Sequence, residues 1–146
     1  MIELPKYSNE ELLEYLQDYQ KEIIQKLLIN NNEDEAINLW INANGPINNV
    51  NFGGVQEKNQ LLKNFKIELC KLLSESPEYE KDAKEIKAYI SLGKDAVISA
   101  ITFALAPKLG ATTVILVPLV VLALMSIAKV GVKAYCRTIL SKEESE

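Results

Sequence analysis

Apolar positions recur every three or four residues along most of this chain, the spacing that gathers side chains on one face of an α-helix. That rhythm predicts six helical segments. Ser8, with Glu11 three residues on, forms a capping box that opens the first, which runs to about Ile29 with Leu12, Leu16, Tyr19, Ile23 and Leu27 as its stripe. Asn30, Asn31 and Asn32 interrupt it. Asn32 with Glu35 then opens a short second helix carrying Ala36, Leu39, Trp40 and Ala43, which Gly45 and Pro46 stop. Ile47 to Gly54 keeps neither a helical nor a clean strand rhythm and reads as a structured loop, with Val50 and Phe52 in one short extended stretch at most. A third helix is expected from about Gln56 to Leu73, with Leu61, Leu62, Phe65, Leu69, Leu72 and Leu73 on one side. Ser76 caps a fourth, and Pro77 takes its first position, where a missing N–H costs nothing. Tyr79, Ala83, Ile86 and Ile90 form its stripe, and Gly93 ends it.

The last third of the chain differs in kind. From Ala96 to Ala128, Lys108 is the only charge in thirty-three residues. Ala96 to Ala106 is apolar on nearly every side, with Ala96, Ala100 and Ala104 spaced by four so that a neighbouring helix can approach closely. Pro107 to Gly110 is the expected bend. The longest helix is expected from Thr112 or Thr113 to about Leu140, with no polar face between Val114 and Ile127. Pro118 either kinks it or marks its start, because an internal proline removes a backbone hydrogen bond at a cost of about 3 kcal/mol.

Leu109 to Ala128 supplies the twenty residues that match a hydrocarbon core of about 30 Å. The first arm is too short to pair with it across a bilayer, and a single span followed by Lys129, Lys133 and Arg137 would export the first 108 residues by the positive-inside rule. A helix apolar on all sides is equally well hidden when about five others each give it one apolar face. The expected fold is therefore all-α, a single-domain bundle of about six helices over residues 1–146. Amphipathic helices over 8–93, with a loop at 44–54, surround a central apolar hairpin over 95–140 that carries a basic C-terminal extension. This plan is similar to that of pore-forming colicin domains and Bcl-2-type proteins, which implies that such a hairpin can be released into a membrane.

Composition narrows the chemistry. A chain of 146 residues, 48% hydrophobic and 25% charged, suits one folded domain. A net charge of −4 makes nucleic acid an unlikely partner. The chain has no histidine, which removes the commonest general base and metal ligand. No catalytic, metal or cofactor site is expected. Glu33, Asp34 and Glu35 read as a solvated helix start, the charges from Glu78 to Lys87 as a solvated face, and Gly53-Gly54 lacks what a phosphate loop requires. Cys70 and Cys136 are isolated, far apart and lack metal-ligand spacing, and Met1 to Ser8 shows no basic stretch followed by an apolar one, so a reducing, cytoplasmic setting is expected.

Three features are candidates for binding. Lys129, Lys133 and Arg137, four residues apart, form a basic stripe on one helical face, suited to anionic lipid or an acidic partner. Asn48, Asn49, Asn51, Phe52, Gly53 and Gly54 form a loop offering amide donors and acceptors around an apolar tip. Trp40, the only tryptophan, is a candidate interface aromatic that a core position would equally explain. The expected function is a non-catalytic helical interaction module acting through a protein-binding surface, with an unknown protein partner or self-association. The alternative is a membrane-active or membrane-anchored effector that inserts residues 96–128.

Overall fold

A computed structural model describes residues 1–44 and 54–145, with backbone alone at residues 44, 54–59 and 141–145. Among these residues every regular element is a helix and there is no strand. The helices are α1 (Asn9–Glu14), α2 (Asp18–Asn30), α3 (Glu33–Asn44), α4 (Gly54–Leu73), α5 (Glu80–Tyr89), α6 (Lys94–Leu109), α7 (Thr113–Val130) and α8 (Val132–Ser145), with single 3-10 turns at Pro77–Tyr79 and Ile90–Leu92. The buried apolar side chains form one contiguous cluster.

Eight helices stand where six were expected, because two of the six are each split. The first breaks at Gln17, whose backbone is extended and whose N–H donates to the Oε1 of Gln20 at 3.2 Å. Ser8 and Glu11 do form their capping box, but it opens only α1. The break turns the buried face of α2 by one residue, so Gln20 and Ile24 are buried while Tyr19 and Ile23, two of the expected stripe, are exposed. The second split is at Gly131, held at φ +89°, a left-handed conformation that glycine adopts at little cost. Its N–H closes α7 on the Ile127 carbonyl, and its own carbonyl accepts the Tyr135 N–H in α8. The expected bend after α6 also moves: Pro107 lies inside the last turn, and Gly110 at φ +63° ends the helix by donating to the Ala106 carbonyl at 2.9 Å.

α7 is the enclosed helix. α1, α3, α6 and α8 all pack against it, and every residue from Pro118 to Met125 is buried, which closes two full turns on all sides. Each Val, Leu or Ile buried there contributes on the order of 1.5–3 kcal/mol.

Pro118 sits well inside α7 and not at its start. Lacking an N–H, it leaves the Val114 carbonyl, four residues back, without its helical partner. The Nε2 of Gln20, itself buried, donates to that carbonyl at 3.1 Å. On the neighbouring carbonyl, that of Ile115, the Trp40 indole N–H donates at 3.0 Å. Side chains from α2 and α3 thus donate to two successive carbonyls of α7, and the Val114 carbonyl is the one the proline opens.

The reading of two isolated cysteines does not hold. Cys70 on α4 and Cys136 on α8 are both buried and form a disulfide, with Cα atoms 5.5 Å apart. Spacing gives no sign of this pairing, which depends on two apolar faces meeting.

The proline gap and the disulfide each predict a stability change. Gln20→Met should cost about 0.5–1.5 kcal/mol in urea denaturation, the net worth of the hydrogen bond to the Val114 carbonyl. In a Pro118→Ala background, where residue 118 regains an N–H, the same change should cost less, with a coupling of about 0.5 kcal/mol or more. Equal losses in both backgrounds would show that the amide does not serve the proline gap. Opening the disulfide by Cys70→Ser with Cys136→Ser should lower stability by about 4 kcal/mol, the loop-closure entropy for a separation of 66 residues.

Candidate interaction surface

The sequence of α6 offers apolar residues on every side, and the fold uses only some of them. Val97, Ile98, Ile101 and Leu105 are buried, as is Thr102, whose hydroxyl donates to the Ile98 carbonyl at 2.8 Å. The opposite face, Ala96, Ser99, Ala100, Phe103 and Ala104, is only partly covered. Tyr15 at the end of α1 reaches one edge, its hydroxyl 2.6 Å from the Ser99 hydroxyl. Beside it, α6 and α5 leave a groove of about 380 Å³ between them.

Two walls make that groove. On the α5 side, Asp82, Glu85, Tyr89 and Leu92 succeed one another at three- and four-residue steps. On the α6 side Phe103 stands over the alanines. Leu92 is 70% exposed, Phe103 69% and Tyr89 37%, so three large apolar side chains line one concave surface in water. Single exposed apolar residues are ordinary, whereas three around one groove make it the candidate surface of this fold. The alanine spacing anticipated a close helical neighbour here, but α5 covers only part of that face. Leu92 and Phe103 carried no periodic signal that marked them as surface residues, because Phe103 lies in a run apolar on all sides.

A second concavity, of about 460 Å³, lies where α3, α4, α7 and α8 meet. Its charges are already engaged with one another: Lys129 Nζ holds both Glu33 oxygens at 2.8 and 3.0 Å, and Lys66 lies 3.5 Å from Asp34. The Tyr135 hydroxyl is buried there without a hydrogen-bond partner among the described residues, and burial pushes its phenol well above the usual range.

Of the residues singled out in the sequence, Trp40 is 2% exposed and donates to the Ile115 carbonyl, so it belongs to the core and not to an interface. The basic stripe does not lie on one helix, because Gly131 separates Lys129 on α7 from Lys133 and Arg137 on α8. Lys129 is drawn onto Glu33, while Lys133 and Arg137 are exposed along α8. Of the loop, Asn48, Asn49, Asn51, Phe52 and Gly53 lie outside the described residues, and Gly54 is the first residue of α4. Compared with family models, with curated proteins and with solved structures, the chain matches none, so the likeness in plan to colicin pores and Bcl-2-type proteins has no matching chain behind it.

Proposed function

We propose that this chain is a non-catalytic helical interaction module whose protein-binding surface is the groove between α5 and α6. In this reading the amphipathic helices form a jacket around an apolar hairpin. The jacket closes around the middle of α7 and leaves a face of α6 open, and that open face is the working surface. The observation that carries the reading is the exposure of Leu92, Phe103 and Tyr89 around one concavity. Leaving Leu92 and Phe103 in water forgoes roughly two thirds of the 1.5–3 kcal/mol that full burial of each would contribute, and Tyr89 less, a cost that a bound partner removes.

A second reading has its own support. α7 is long and apolar enough to cross a membrane by length and composition, which fits an effector that inserts residues 96–128. Enclosure of α7 by four helices favours the module, because insertion would first have to strip that cover away. Dye release from anionic vesicles on adding the chain would favour the effector.

The setting is also a proposal. The Cys70–Cys136 bond weighs against the reducing cytoplasm expected from the sequence, since structural disulfides persist in oxidising compartments. Thiol blocking followed by mass measurement on protein from its native source reads the oxidation state directly.

The module is tested by selecting displayed peptides of about twelve residues, a length that spans about three helical turns, on the immobilised chain. Clones are then retested on Leu92→Asp and Phe103→Asp variants. Helical clones whose affinity falls by about tenfold or more on both variants are expected, as for anchors at the centre of an interface. Clones indifferent to both changes would place recognition elsewhere on the molecule.

A further inference from the structure

The groove is not uniform along its length. Near the turn at Gly93, Tyr89, Leu92 and Ala96 make it apolar. Further along α5, the charged residues that line it are Asp82 and Glu85, both acidic. Neither has an ion-pair partner among the described residues, while on the same segment Glu75 is held by Lys87, Glu78 by Lys71 at 3.6 Å and Glu80 by Lys84 at 3.6 Å. The acids that face the groove are left open, and those that face away are neutralised. Asp82 to Leu92 covers roughly 15 Å at 1.5 Å per residue, about three turns of a docked helix.

Resting on the reading of this groove as a protein-binding surface, we infer that its occupant is a short basic amphipathic helix. Its apolar anchors, at steps of three and four, sit against Tyr89, Leu92 and Phe103. One to two turns along, its Lys or Arg side chains reach Asp82 and Glu85. This is helix-in-groove recognition, with charge setting the direction in which the helix lies. An anionic bilayer is a poor occupant, because the two open carboxylates would meet its headgroups with like charge. A second copy of the chain would have to present a helix with a basic end and an apolar face at that spacing, and sedimentation distinguishes it from a peptide partner.

The probe is a fluorescein-labelled designed peptide of about fourteen residues, enough for the roughly 15 Å floor. It carries Leu anchors at steps of three and four and Lys at one end. Controls are the same peptide with Lys changed to Glu, and one with the Leu anchors changed to Gln. Anisotropy titrations use the whole chain, with sedimentation run beside them to read self-association. The Lys peptide should bind about tenfold or more tighter than the Glu peptide at about 50 mM salt, with the gap closing near 0.5 M as screening grows. Asp82→Lys with Glu85→Lys should reverse the preference. All substituted positions are on the surface, and circular dichroism with thermal melting verifies that the variants fold.

Phe103→Asp distinguishes groove binding from general attraction to an acidic protein, since it adds negative charge and should still abolish binding. A Lys peptide that binds Phe103→Asp as well as the parent would overturn the inference. If Lys and Glu peptides bind equally and both lose affinity in Phe103→Asp, the charge assignment fails and the groove reading survives. If no anchored peptide binds, or if sedimentation shows a dimer that Phe103→Asp dissolves, the basic-helix occupant is wrong. In the first of these two cases the groove reading falls with it.

Discussion

A proline inside α7 removes the helical donor from one backbone carbonyl, and the packing around the helix supplies another. The Val114 carbonyl is that group, and the Gln20 amide reaches it from α2. The indole of Trp40 serves the next carbonyl along from α3. Each such hydrogen bond contributes about 0.5–1.5 kcal/mol net, so α2 and α3 are tied to α7 through its backbone, and α3 by packing as well. The same glutamine accepts the N–H of Gln17 at the break between α1 and α2. One side chain therefore couples a kink in the first part of the chain to a notch in the last.

This coupling explains why parts of the fold were open to reading and others were not. Ser8 with Glu11 and Asn32 with Glu35 both form the capping boxes their spacing predicts, because the relevant contacts lie within four residues. The break at Gln17 was hidden because a glutamine pair three apart is a weaker cap signal than Ser with Glu, and the apolar rhythm runs through it without interruption. The split at Gly131 was marked by the glycine itself, which ends helices readily, but the regular Lys129, Lys133, Arg137 spacing overrode it. The cysteine pair was not legible at all, since it depends on which helices meet.

Of the candidate surface, the sequence showed only the alanine spacing on α6. Whether an all-round apolar helix is covered on every side depends on how many neighbours the fold supplies, and no local pattern holds that number. α7 has four helices around it, and a face of α6 stays open. Trp40 shows the reverse case. Its apolar body and single polar N–H fit either an interface or a core, and burial against α7, with the Ile115 carbonyl 75 residues away as acceptor, decides between them.

The Cys70–Cys136 bond closes a covalent ring that contains α5, α6 and α7, and with them the groove and the enclosed helix. Tension applied through the chain on either side would pass across the bond and leave the ring unloaded. A separation of 66 residues, roughly 220–240 Å of extended chain, is hidden from such a pull. The groove is thus covalently insulated from a pull on the two flanks of the chain. A thiol reductant would act here as a change of contour length.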